Sequence, residues 1–148
     1  MNKLNTYVKL PLKYKVLLLS NAIIITGLKV LRDILAFKTL IKLMNIVSIR
    51  KMRFIPRISY SREELAWGVN LVSKYLLRDR PCLIQALVLW VQMKRRGYPA
   101  SLKIGVKKDI ESSLKAHAWV ESSGAILIGN LTDLNDYKVF PSVYRFQS

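Results

Sequence analysis

The apolar pattern of this chain changes its period at Gly97. Before Gly97 the apolar residues follow helical spacing, and two long runs, Val16 to Leu28 and Leu83 to Met93, contain no charged residue. After Gly97, Ser101 to Val106 alternates polar and apolar residues, as a half-buried strand does. Helices followed by short antiparallel strands predict an α+β fold.

The first 60 residues form a basic, apolar region. They hold twelve Lys or Arg and one acidic residue, so +11 of the chain's net charge of +16 lies there. Pro11 to about Met44 is predicted to form one long helix or two joined ones. Its uncharged stretch is shorter than the ~20 residues of a membrane span. We therefore expect this helix to pack on the domain or a partner, or to contact a membrane surface, with spanning the least favoured.

The next segment begins a second set of helices. Residues 45–60 are a basic connector, and Ser61 with Glu64 forms the sequence pattern of a capping box, which predicts a helix through Leu77. Another helix is predicted from about Cys82 to Arg96, ending at Gly97. We accordingly divide the chain into an N-terminal helical region, residues 1–60, and a domain at 61–148.

Strands are predicted for the rest of the chain. Lys107 to Lys115 has the composition of a polar loop. Ala116 to Glu121 and Ala125 to Ile128 alternate as two strands joined by a tight turn, and a last short strand is predicted around Lys138 to Phe140. The expected arrangement is an antiparallel meander.

The chain has one cysteine, Cys82, and one histidine, His117. A single cysteine excludes an internal disulfide and fits a reducing compartment, which predicts a cytoplasmic protein. These two residues cannot build a zinc site without carboxylates at metal spacing, so neither a metal nor a cofactor is expected. No A-x-A-like cleavage site follows the N-terminal apolar run, so no secretion signal is predicted. The basic charge favours an acidic partner, but arginine–aromatic motifs of nucleic-acid modules are absent, so no nucleic-acid partner is expected.

Cys82 and His117 each lie where a cysteine nucleophile and its base are expected. A thiolate at a helix N-terminus faces unpaired backbone N–H groups, which stabilise it and can also bind the oxyanion of an acyl-transfer intermediate. A histidine on a strand between two alanines has little steric cover, as a base beside a cleft requires. Taken singly, each residue is more often structural, an inert thiol or a hydrogen-bonded histidine. Together they fit a papain-like or transglutaminase-like arrangement.

A third residue should orient the imidazole. Asn130 is the first polar side chain after the strand that neighbours His117, and Asp133 is the next. Either one is a candidate orienter, and either could instead be a loop residue that stabilises a turn.

Four ordered motifs resemble those of the lasso peptide maturation peptidases, transglutaminase-like cysteine proteases that remove the leader from a lasso precursor. The resemblance is strong over residues 61–130 and extends more weakly to the N-terminal helix. The motifs are Pro81 to Trp90, Arg95 to Ala100, Ile104 to Lys108 and Ala116 to Glu121.

The resemblance implies a site and partners. It makes residues 61–148 a transglutaminase-like cysteine peptidase domain with Cys82 as nucleophile and His117 as base. The family has Cys-His-Asp, whereas this chain has Asn130 at the matching position and Asp133 three residues on. The substrate would be a precursor peptide, presented by a separate leader-recognition protein because no leader-binding domain is visible here. An ATP-dependent macrolactam synthetase would then close the ring.

Two other classes of function remain open. An acyl transferase or amidase could use the same fold, because an amine can resolve a thioester as readily as water does. A non-catalytic, membrane-associated adaptor could have kept the fold without the chemistry. Product mass separates the first from a protease, and a Cys82→Ala variant separates the second from both.

Overall fold

A computed structural model of the protein describes residues 10–49, 58–77, 82–108 and 113–141. The predicted α+β fold is confirmed, with helices preceding an antiparallel sheet. The elements within these residues are α1 Leu12–Ile34, α2 Phe37–Ile49, α3 Arg62–Leu76, α4 Cys82–Arg95, β1 Ser101–Lys108, β2 Leu114–Ser122, β3 Ala125–Ile128, a single 3-10 turn Leu134–Asp136 and β4 Lys138–Val139.

The N-terminal apolar region forms two helices rather than one. The chain leaves helical geometry at Leu35, whose backbone is extended, and α2 begins two residues later. Helix α1 packs against α3 and α4, as expected for a helix that docks on the domain. At the start of α1, the ammonium of Lys13 lies 2.8 Å from Glu64, and the Tyr14 hydroxyl donates to the same carboxylate at 2.7 Å. These contacts fix α1 to the first turn of α3.

The predicted capping box at the start of α3 is confirmed. The Glu64 backbone N–H donates to Ser61 Oγ at 3.1 Å, and the Ser61 backbone N–H donates to the Glu64 carboxylate at 2.7 Å. Glu64 thus accepts bonds from Lys13, Tyr14 and Ser61, which together lower the pKa of its carboxyl to about 2. The same side chain caps one helix and anchors another.

Helix α4 is the centre of the molecule. Its residues from Ala86 to Met93 are all buried, and it packs against α1, α2, α3 and the sheet. Gln92 on α4 donates a buried hydrogen bond to Asn21 on α1. The helix ends at Arg95, and Gly97 follows with φ +77°, the left-handed geometry predicted for a C-terminal cap. The residues that were predicted to precede this helix, 78–81, lie outside the described residues.

The sheet has the strand order β3-β2-β1-β4. The first three strands form the predicted meander, but β4 does not continue it: the chain crosses back from β3 and pairs β4 with the other edge, Gly105 opposite Val139. The predicted loop from Lys107 to Lys115 is also shorter than expected. Lys107 pairs with Lys115 and Lys108 with Leu114, so both strands extend further into this charged stretch.

One hydrophobic core connects the helices to the sheet. It contains residues of α1, α2, α3 and α4 together with side chains of the sheet such as Leu102, Ala118, Val120 and Ile128. The side chains that alternate with Ala118 and Val120 on β2 belong to the opposite face of the sheet. That opposite face, defined here by Gly105, His117 and Trp119, is called the outer face below. The division of the chain at residue 60 stays a prediction.

Candidate active site

Cys82 is the first residue of α4. Its thiol is free and half-buried, and its side chain packs at the edge of the core. The last residues of the helix are basic, Lys94 and Arg95, and its first turn carries no acidic residue. The sulfur is therefore at the end of the helix where backbone N–H groups lack intrahelical partners, as the sequence predicted.

His117 is held by the main chain. It lies on β2 directly opposite Gly105, and its Nε2 is 2.7 Å from the carbonyl oxygen of Gly129. A carbonyl oxygen can only accept a hydrogen bond, so Nε2 must carry the proton and donate it. When the imidazole is neutral, its lone pair is then on Nδ1. This tautomer leaves Nδ1 as the nitrogen that can accept a proton from a nucleophile.

Two aromatic rings enclose the imidazole. The Trp119 ring stacks near-parallel to it, with ring centroids 6.1 Å apart and an angle of 16°, and the Tyr137 ring lies 5.7 Å away. Gly105 leaves the space for both, because a Cβ there would lie 3.1 Å from Tyr137 Cβ and 3.2 Å from Trp119 Cη2. The Trp119 indole N–H donates to Glu121 at 2.8 Å, which fixes its ring.

Gly129 is a position where any other residue would be strained. Its φ is +80°, and a Cβ would lie 2.6 Å from the Ala118 carbonyl oxygen and 2.8 Å from Trp119 Cβ. The chain leaving β3 therefore passes against the backbone of β2 at this point. This close approach is what brings the Gly129 carbonyl to His117. The sequence signal is a glycine between Ile128 and Asn130 at the end of a strand, and nothing in the sequence pattern connects it to the histidine.

Neither predicted orienter bonds to the imidazole among the described residues. Asp133 forms an ion pair with Lys107. The Lys107 ammonium holds the pKa of the Asp133 carboxyl below its usual range, and Asp133 raises the pKa of Lys107. Asn130 is exposed, one residue beyond the carbonyl that His117 contacts. Orientation of His117 by Asn130 or Asp133 stays a prediction.

No hydrogen bond joins Cys82 to His117 among the residues that the structure describes. By the alternation of β2, His117 belongs to the outer face, whereas Ala118 and Val120 face the core into which α4 packs. The outer-face group comprises His117, Gly129 and the Lys107–Asp133 pair. Cys82 is positioned separately, by α4, and its pairing with His117 stays a prediction.

The outer-face group contains side chains that could transfer a proton. Within the described ranges no group of three or more His, Cys, Asp and Glu side chains could hold a metal ion. The outer face instead offers an imidazole of defined tautomer, and α4 offers a thiol at a helix N-terminus. These are the two functional groups of a cysteine-dependent acyl transfer.

Comparison with known proteins assigns the chain to a family. No curated protein matches the sequence. No solved structure matches the fold. The profile described as "Transglutaminase-like superfamily" matches residues 29–142, which is more than half of the chain and includes Cys82, His117, Asn130 and Asp133. The protein therefore belongs to the transglutaminase-like superfamily.

Proposed function

We propose that the protein is a cysteine endopeptidase that removes the leader from a lasso peptide precursor at the leader–core junction. Membership in the transglutaminase-like superfamily supports acyl-transfer chemistry at a cysteine. The motifs around Cys82 and His117 support the choice of a leader peptide as substrate. The observation that carries the proposal is the bond from His117 Nε2 to the Gly129 carbonyl, because it leaves Nδ1 unprotonated and able to act as a base.

The proposed reaction is a two-step acyl transfer. Cys82 Sγ gives its proton to His117 Nδ1 and attacks the scissile carbonyl carbon. The oxyanion that forms accepts hydrogen bonds from the backbone N–H groups at the start of α4. His117 then returns the proton to the leaving amine of the core peptide, and the C–N bond breaks. Water, deprotonated by the same imidazole, attacks the thioester carbon, the C–S bond breaks, and His117 returns the proton to Cys82 Sγ. The leader is released with a free carboxylate.

This reaction requires the thiol and the imidazole to come within hydrogen-bond distance. Catalytic hydrogen bonds are often long in the free enzyme and shorten when substrate binds. The proposal therefore includes closure of the Cys82–His117 distance on the precursor peptide. Through this closure the Gly129 carbonyl would keep its bond to Nε2, with Asn130 or Asp133 acting beside it as a second orienter.

The partners follow from the same proposal. A separate leader-recognition protein would present the precursor in the cytoplasm and raise its effective concentration at the site. An ATP-dependent macrolactam synthetase would then use the free N-terminus of the core peptide. We expect slow cleavage without the leader-recognition protein, and equal rates with and without it would contradict this part of the proposal.

The test is cleavage of the precursor, followed by mass spectrometry of both products. Cys82→Ala and His117→Ala should each abolish cleavage with the fold intact, whereas Asn135→Ala, an exposed residue of the 3-10 turn, should cleave normally. A leader that carries an amide instead of a carboxylate would identify an acyl transferase. Normal function of Cys82→Ala would identify an adaptor.

The single cysteine and single histidine allow two direct readouts. Cys82 is the only thiol that iodoacetamide can modify in this chain. If the imidazole acts on the thiol, the rate of this modification at neutral pH should be lower in His117→Ala. Protein labelled with ¹⁵N-histidine gives the signals of His117 alone. We expect the Nε2-protonated tautomer, and an Nδ1-protonated ring would contradict the assignment of Nδ1 as base.

To identify the residue that orients His117, kcat/KM is measured separately for Asn130→Ala and Asp133→Ala. Loss of an orienting bond should lower kcat/KM less than loss of the nucleophile does. Normal cleavage by both variants would mean that no side chain orients the ring and that the Gly129 carbonyl alone does so.

A further inference from the structure

Helix α1 is apolar on two opposite sides. One side is buried against α3 and α4 and includes Leu17, Ile25 and Leu28. At the angular spacing of an α-helix, about 100° per residue, a second set of apolar residues lies on the opposite side. This second set, called the outward stripe below, consists of aliphatic side chains that are 54 to 76% exposed: Leu12, Leu19, Ile23, Val30 and Ile34.

The helix is fixed to the body of the protein along its length. Lys13 and Tyr14 bond to Glu64 at one end, and Asn21 accepts a buried hydrogen bond from Gln92 near the middle. By length and composition α1 could cross a membrane, since an 18-residue window has a mean hydropathy of 1.6, and 28% of that window is buried. A helix docked in this way presents only one face to its surroundings. The outward stripe could therefore contact a surface along which α1 lies, whereas the docked helix could not cross a membrane.

The chemistry of the outward stripe favours lipid over a protein partner. Helix α1 has 23 residues, so the stripe runs along about 34 Å of a convex ridge. Its side chains are all aliphatic, and Thr26 and Gly27, two of the exposed positions between Ile23 and Val30, are small. Protein interfaces depend on Trp, Tyr and Arg anchors seated in pockets. A bilayer interface requires only apolar surface on one side of a helix and cations beside it.

The charge that follows the stripe along the chain is complementary to anionic lipid. Exposed lysines follow along the chain, Lys29 on α1 and Lys38 and Lys42 on α2. The acidic residue of the first 60, Asp33, is paired with Arg32 at 2.9 Å. Basic residues near an apolar helix face attract the headgroups of an anionic leaflet.

We propose that the outward stripe of α1 lies in the boundary between headgroups and acyl chains of an anionic bilayer, with α1 parallel to the membrane surface. The rest of the domain stays on the aqueous side. This proposal does not depend on the chemistry at Cys82, because it rests on the exposed face of α1 alone. Its failure would leave the proposed peptidase activity unaffected.

The test is co-sedimentation of the full chain with vesicles. Vesicles that contain phosphatidylglycerol should bind the protein, vesicles of phosphatidylcholine alone should bind it weakly, and added salt should reduce binding. Leu19→Ser/Ile23→Ser should lower binding to the anionic vesicles at least about tenfold, since the apolar contact is lost. Tyr75→Ser/Leu76→Ser is the matched control, because it removes two exposed apolar side chains from α3.

A second measurement reports depth. In a Cys82→Ser background, Ile23→Cys and Tyr75→Cys each carry one environment-sensitive fluorophore. Anionic vesicles should shift the emission to the blue at position 23 and leave it unchanged at position 75. Absence of vesicle binding, or equal loss in the stripe and control variants, overturns the proposal. So does a stripe variant that changes only the oligomeric state or the capture of the leader-recognition protein, because the stripe would then be a protein interface.

Discussion

The helices and the outer face of the sheet are stabilised by different kinds of contact. Around α4 the side chains are apolar and fully buried, with Asn21–Gln92 as a buried polar pair. On the outer face the imidazole is half-buried and is held by a main-chain carbonyl and two aromatic rings. The first arrangement depends on volume and burial, the second on the direction of hydrogen bonds. Substitutions should therefore affect stability in one region and proton chemistry in the other.

The largest effect on stability should come from truncation in α4. Leu87→Ala removes a fully buried side chain at the centre of the core and should lower the free energy of unfolding by about 2–5 kcal/mol. Leu114→Ala is the matched control, since this leucine is 71% exposed at the start of β2 and should change little. Urea unfolding measures both. Equal losses would mean that the strand end is covered in solution.

Gly129→Ala should affect both the stability of the fold and the position of the hydrogen bond to His117. The left-handed backbone costs a non-glycine residue about 1–2 kcal/mol, and the added Cβ also meets the backbone of β2. Gly124→Ala is the control, because Gly124 has φ +79° and open space around it. Only Gly129→Ala should displace the carbonyl from His117. The ¹⁵N spectrum of the single histidine should therefore change in that variant and stay constant in the control.

Asn21→Leu tests the polar pair between α1 and α4. It leaves the buried Gln92 amide without its partner and should cost about 1–3 kcal/mol. The double variant Asn21→Leu/Gln92→Met replaces both amides with apolar groups and should recover part of that loss. A double variant less stable than either single variant would show that the pair itself, rather than an unpaired amide, carries the energy. Urea unfolding of all three proteins gives the coupling.

The smallest effect should be the pH dependence at Glu64. Its folded pKa of about 2 lies below the usual 4.5, so its bonds stabilise the fold above pH 4.5, and this contribution is lost as the pH falls towards 2. Glu64→Gln should lower the Tm at pH 7 and differ less from the natural protein at pH 3. Glu63→Gln is the comparison, because Glu63 is exposed and its pKa is lowered by the backbone, Ser61 and Arg62 at the same helix start rather than by Lys13 and Tyr14 of α1. Its Tm difference should therefore be smaller. A Tm difference that does not change with pH would mean that the effect of Gln is not electrostatic.

Much of the helical part could be predicted because its signals are local. The capping box of Ser61 and Glu64 and the glycine after α4 each lie within a few residues of the helix end that they define. The boundary between α1 and α2 was left open, since no Gly or Pro marks Leu35. Glu64 also anchors α1 through its ion pair with Lys13, which lies 51 residues away in the sequence. The sequence pattern of a capping box does not predict this ion pair.

The candidate site was predicted less completely for a physical reason. Cys82 and His117 could be found because side-chain chemistry is visible in a sequence. The Gly129 carbonyl could not, since every residue has a carbonyl and only the fold directs one of them at an imidazole. The return of β4 to the far edge of the sheet was missed as well, because a pair of two residues carries almost no periodic signal.

The two apolar sides of α1 have a consequence for synthesis. The partners of this helix on α3 and α4 come about 50 to 70 residues later in the chain: Lys13 meets Glu64, and Asn21 meets Gln92. At translation rates of about 5–20 residues per second, several seconds pass before those partners exist. During that interval the apolar side chains on both sides of α1 are exposed to water. Chaperones and lipid at the ribosome exit would therefore compete for α1 while this protein is being synthesised, and the delay before α4 emerges sets how long that competition lasts.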